Sequence, residues 1–265
     1  MNIDPPIIDA HAHIFTARMP FAADAWIRPD YEYPVATYLD DLDRHGISFG
    51  VIAAASLYGD YNDYTLWALR THKRLRATIA PDPTAPLCQL QRLNDQGVVG
   101  VRLQLKERAP LPEIAGFEYR KYLNRLADSG MHLELNAGAT HLSQLLPALK
   151  DTGVNVVVDH FGLLRSPAGI AGEGFQAVLR ALDYGNVWVK ISAGFRLERE
   201  LLHAAAEKLL SSAGADRLFW GSDAPFVGKE PDMSYVAALR IFHDLVPNAA
   251  IRRKISDAAL RFYCF

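Results

Sequence analysis

The chain has 265 residues, half of them apolar, and its 28 basic side chains are balanced by 30 acidic ones to a net charge of −2. That balance gives no electrostatic case for a nucleic-acid or anionic-membrane partner, and a small molecule is the expected ligand. No window approaches the roughly 18 apolar residues of a membrane span, and no basic-then-apolar leader opens the sequence, so a cytoplasmic protein is expected. Cys88 and Cys264 have neither metal-ligand nor disulfide spacing and read as ordinary buried thiols.

Apolar runs at 7–13, 49–56, 77–81, 99–105, 132–137, 155–160, 187–193 and 218–223 alternate with segments of helical period. One punctuation recurs between them. Gly46, Gly97, Gly130, Gly153, Gly185 and Gly214 each follow a helical stretch and precede an apolar run, as a helix C-cap able to take positive φ would. Eight strands alternating with helices over this length predict an α/β fold, a (β/α)8 TIM barrel forming a single domain over residues 1–265; such barrels need about 250 residues. The stretch 15–34, rich in Pro and aromatics, is too long for a simple βα connection and is a candidate active-site loop.

In such a barrel the chemistry sits at the C-terminal strand ends, so the residues closing each run form one ring. Asp9, His11 and His13 alternate along the first strand and are expected on one side of it. The second run ends at Ser56, followed by Tyr58; the fourth carries Arg102 and Gln104, then Arg108; the fifth ends at Asn136. Asp159 and His160 end the sixth, Lys190 and Ser192 lead to Arg196 after the seventh, and Asp223 closes the eighth. Ser56 or Asn136 alone would read as an ordinary hydrogen-bonding residue, and Lys190 as an internal ion-pair partner. Arginine offers a planar fork that matches a carboxylate, so Arg102, Arg108 and Arg196 point to a compact substrate with one or two carboxylates.

The His-x-His of His11 and His13, the strand-six His160 and the strand-eight Asp223 resemble the amidohydrolase superfamily over essentially the whole chain. Val157-Val158-Asp159-His160-Phe161-Gly162 and Trp220-Gly221-Ser222-Asp223-Ala224-Pro225 look like its lactonase branch, which includes enzymes acting on 2-pyrone-4,6-dicarboxylate and on sugar or muconate lactones. Leu163, where that branch has arginine, and Phe226, where many relatives have histidine, depart from the pattern.

Lactone hydrolysis needs a base for water and positive groups where negative charge develops on the carbonyl oxygen. Asp223 is assigned as the base, with His11, His13 and His160 polarising the carbonyl; Arg102, Arg108, Arg196, Ser56, Tyr58 and Asn136 bind substrate. Strand four lacks a bridging Lys or Glu and strand five lacks a histidine ligand, and the resemblance implies a site without cofactor. The alternative is one zinc ion held by His11, His13 and Asp223 with His160 nearby, which would suit a zinc-dependent decarboxylase of an aromatic or muconate acid. A catalytically inert scaffold is the remaining reading.

Overall fold

The computed structural model of the protein describes residues 4–105, 111–164 and 168–265. Eight parallel strands pair in sequence order: β1 (Ile8–Ala12), β2 (Phe49–Ile52), β3 (Leu75–Ile79), β4 (Val98–Gln104), β5 (His132–Asn136), β6 (Val156–Val158), β7 (Val187–Ser192) and β8 (Leu218–Gly221). Asp223 N donates to His11 O at 2.8 Å and His13 N to Ala224 O at 2.8 Å, so the eighth strand end meets the first and the sheet closes on itself. Helices follow every strand on the outside, as a parallel sheet requires. The predicted (β/α)8 architecture is therefore the observed one.

All six punctuating glycines take positive φ, between 66° and 102°, where a side chain would be strained. The predicted runs extend past the ladder at several strand ends because the backbone there leaves extended geometry. His160 (φ 51°) and Asp223 (φ 63°) are left-handed, which ends β6 at Val158 and β8 at Gly221.

The barrel interior is layered. Its floor is apolar: Ile8, Ala10, Val51, Val99, Val157 and Phe219 pack on Ala258, Ala259 and Tyr263 of the last helix, Ala249–Tyr263. Above it the same strands turn charged, and above that lies the mouth. Between strands and helices runs the larger apolar core, to which Leu42, Leu69, Leu126, Leu146, Val178 and Leu209 contribute from successive helices.

Asp9 does not share a side with His11 and His13 as strict alternation predicts. The register of β1 against β2 shifts between Asp9 and Ala12. Asp9 faces the helix layer, where Tyr235 Oη donates to it at 2.7 Å, whereas His11 turns into the barrel. An extra residue in one strand re-aims the side chains that follow. Cys88 and Cys264 are also corrected, being free and exposed, because each sits on the outer face or end of a peripheral helix.

Gly221 lies so close to His11 that an added Cβ would meet the His11 Cβ and, at 2.7 Å, its backbone nitrogen. Gly221→Ala is expected to lower unfolding stability by about 1–3 kcal/mol through overpacking. Urea denaturation with an unchanged slope and a lower midpoint would show it.

Candidate active site

Four charged side chains meet inside the barrel below its mouth, all essentially sealed from solvent: Arg102 (β4), Glu134 (β5), Asp159 (after β6) and Lys190 (β7). Arg102 and Glu134 are register partners across β4 and β5. Arg102 Nε donates to Asp159 Oδ2 at 2.8 Å and faces Glu134 Oε1 at 3.0 Å. Its Nη1 donates to the carbonyl of Ala54 at 2.7 Å. Lys190 Nζ donates to Glu134 and lies 3.4 Å from Asp159 Oδ1 and 3.0 Å from His11 Nδ1. Two cations and two anions thus neutralise one another. Burial opposes charge on both carboxylates, and Asp159 adds to it at Glu134, but Lys190 together with His132 and His11 at Glu134, and with Arg102 and His11 at Asp159, holds both below the ordinary range.

On this layer stands a cluster of three imidazoles about one carboxylate. Asp223 Oδ1 is 3.6 Å from His11 Nε2, 3.4 Å from His13 Nε2 and 3.8 Å from His160 Nε2. Asp223 Oδ2 accepts from Arg196 Nε and Nη2 at 3.4 and 3.3 Å. Burial pushes the Asp223 carboxyl up, but His160, His13 and His11 together hold it far below the usual carboxylate range. The carboxylate is ionised throughout the neutral range. Desolvation lowers His11 to about 3 and His160 to about 4, leaving both rings neutral at neutral pH.

The second ring nitrogens are also engaged. His13 Nδ1 donates to Ala53 O at 2.8 Å while its Nε2 faces Asp223 Oδ1, and His160 Nδ1 bonds Ser192 Oγ at 2.8 Å. His11 Nε2 is buried with no hydrogen-bond partner among the described residues.

The remaining sequence-predicted residues are distributed around this centre. Arg196, partly exposed, reaches Asp223 and donates to Val227 O at 3.0 Å. Arg102 belongs to the buried layer, with Nε and Nη1 both engaged. Asn136 is buried at the end of β5, and its Oδ1 has no partner among the described residues. Ser56 opens a short turn and accepts from Trp26 Nε1 at 3.3 Å, while Tyr58 stacks on Phe21 of the 15–34 segment, centroids 5.1 Å apart. Arg108 lies outside the described residues. Glu134 escaped the sequence reading, although a lone acid between Leu133 and Leu135 in a buried strand was its signal. The carbonyls of Ala53 and Ala54 had none, since any residue carries one.

A family model described as amidohydrolase matches residues 8–265. This chain belongs to the amidohydrolase family. The 4-sulfomuconolactone hydrolase of Rhizobium radiobacter is 25% identical over 264 residues, spanning 93% of this amidohydrolase and 86% of the relative. The 2-pyrone-4,6-dicarboxylate hydrolase of Comamonas testosteroni is 26% identical over 283 residues, spanning 97% and 89%. The crystal structure of a probable 2-pyrone-4,6-dicarboxylic acid hydrolase from Acinetobacter baumannii, with citric acid bound, superposes with a TM-score of 0.93 at 29% identity, covering 98% of this chain and 100% of the other.

The expectation of a cofactor-free centre is corrected. His11, His13 and Asp223 each place one ligand atom within 4.8 Å of the others, a donor set suited to a divalent first-row metal. An amidohydrolase from Burkholderia multivorans with bound zinc shares the fold, at 18% identity and a TM-score of 0.78 over 98% of this chain and 100% of the other. Positive charge at the mouth would disfavour a divalent cation, but the charge of Arg102 is already neutralised by Asp159 and Glu134.

Removing Lys190 leaves Glu134 and Asp159 to share the single charge of Arg102, so one buried negative charge goes uncompensated. Lys190→Met is expected to cost about 3–5 kcal/mol of unfolding free energy. Denaturant titration reads this directly; a loss within the range of a surface substitution would mean that the layer is not electrostatically interdependent.

Proposed function

We propose that this amidohydrolase opens the ring of a lactone carrying one or two carboxylates, of which 2-pyrone-4,6-dicarboxylate is the model substrate. The observation that carries the reading is the Asp223 carboxylate set among three imidazoles with a guanidinium on its second oxygen. The named hydrolase relatives, which act on lactones, support the reaction class. Among the described residues no helix is long and apolar enough to cross a membrane.

Asp223 accepts a proton from water as the water oxygen adds to the lactone carbonyl carbon. Stabilisation of the developing oxyanion supplies the other part of the rate enhancement. His160 presents Nε2 to that oxygen, backed by Ser192. When the ring C–O bond breaks, Asp223 returns the proton to the leaving oxygen, giving one enol or alcohol and one new carboxylic acid, which releases the second water proton to solvent and becomes a carboxylate. Arg196 binds a substrate carboxylate at the rim, and Arg108 is assigned the same task on its sequence position. Asn136, with its unpartnered oxygen, and Ser56 and Tyr58 orient the ring, while Arg102 keeps the layer beneath neutral.

His11, His13 and Asp223, with His160 adjacent, are the residues that would hold a metal. The orphaned His11 Nε2 and the His13 Nε2 that its Nδ1 contact to Ala53 turns toward Asp223 are the observations that fit. A zinc ion bound there would supply Lewis-acid polarisation and a more acidic water. Equilibrium dialysis is expected to find one zinc per chain in the wild type and loss of most of it in His13→Gln; equal retention by the variant would remove His13 from the ligand set.

Asp223→Asn is expected to fold and to hydrolyse 2-pyrone-4,6-dicarboxylate roughly 1,000-fold more slowly, near the middle of the usual range for removing a general base. The rate of acid release with a pH indicator is the readout. Near wild-type turnover in the variant would refute the assignment of the base.

A further inference from the structure

Asp9 is fully buried, lies outside the imidazole cluster and has no part in the reaction above, yet four hydrogen-bond donors converge on it. Its two oxygens are divided by task. Oδ1 accepts the backbone N–H of His11 at 3.1 Å and of Ser222 at 2.8 Å. Oδ2 accepts the Ser222 hydroxyl at 2.6 Å and the Tyr235 hydroxyl at 2.7 Å. Ser222 Oγ in turn accepts from Ala224 N at 3.0 Å. One carboxylate therefore grips the backbone of His11 and the residue before Asp223, and through Ser222 the residue after it.

Both gripped segments are ones that would otherwise relax. β1 shifts register between Asp9 and Ala12, which is what brings His11 inward. Asp223 is held at φ 63°, a conformation that a side chain other than glycine adopts only where its surroundings impose it. We propose that Asp9 is a positioning residue: acting from the helix side of the barrel wall, its Oδ1 locks the backbone of His11 and Ser222 and so sets the His11 to Asp223 geometry of the catalytic centre. Tyr235 only anchors the far oxygen to the helix Tyr235–Leu245.

This division makes the role testable apart from simple stability. Asp9→Ala removes the grip. Asp9→Asn keeps it, because the amide oxygen can still accept both backbone N–H groups while its NH2 faces two hydroxyls that can rotate to accept. Tyr235→Phe removes a hydrogen bond to the same carboxylate without touching the site backbone. Turnover of 2-pyrone-4,6-dicarboxylate, measured at a temperature where each variant is folded, is expected to fall in kcat on the order of 100-fold for Asp9→Ala, the scale of an ångström-sized misplacement, with KM within about twofold. Asp9→Asn is expected to restore kcat to within about fivefold of wild type, and Tyr235→Phe to stay within about twofold.

An unchanged kcat in Asp9→Ala, or an equal loss in Tyr235→Phe, overturns the proposal. Should Asp9→Ala not fold, Ser222→Ala replaces it, with about a tenfold loss of kcat expected and wild-type kcat overturning the role. The turnover arm rests on the lactonase reading; crystal structures do not. If the wild type opens no lactone, the structure of Asp9→Ala, or of Ser222→Ala, decides alone. Asp223 leaving the left-handed region, or His11 Nε2 and Asp223 Oδ1 separating beyond 3.6 Å, supports the role, and unchanged geometry refutes it.

Discussion

Two cations and two anions buried in the middle of the barrel are the constraint on which the rest of this molecule depends. Desolvating any one of Arg102, Glu134, Asp159 or Lys190 alone would be prohibitive, and only their mutual pairing makes the layer tolerable. The pairing spans β4, β5, β7 and the end of β6, so it also fixes how those strands sit relative to one another. Its upper edge touches His11 Nδ1 through Lys190 and Asp159, and the reactive centre is built on that contact.

The layering follows from this. An apolar floor closed by the last helix keeps water from reaching the charges from below, and the imidazoles cover them from above. With the net charge of the layer near zero, the field at the mouth is set by Asp223 and the groups around it. Backbone strain is concentrated at the same end: His160, Phe161, Leu163, Ala193, Asp223 and Phe226 all take positive φ beyond the C-terminal ends of β6, β7 and β8. Tightly packed strands below impose those turns, and the turns aim His160 and Asp223 inward.

Much of the fold was legible in the sequence because its signals are local. Six glycines at helix ends and eight apolar runs need no long-range information; each glycine takes positive φ and each run overlaps a strand, the third displaced to Leu75–Ile79. The site was legible as a set of residue types at strand ends, and His11, His13, His160 and Asp223 do meet. What sequence could not show depends on the third dimension. The register shift in β1 separates Asp9 from the two histidines although alternation puts them together. Arg102 reads as a substrate anchor until Asp159 and Glu134 are seen around it. The carbonyls that orient His13 and Arg102 belong to alanines, whose side chains carry no such message.

The central claim is that this centre adds water to the carbonyl carbon of a lactone. It is tested most directly by ring opening of 2-pyrone-4,6-dicarboxylate in 18O-labelled water, with mass analysis of the product. The account predicts one heavy oxygen, located in the newly formed carboxylate, and no loss of carbon dioxide. Release of carbon dioxide, or a product with the label on the hydroxyl side of the broken bond, would contradict it.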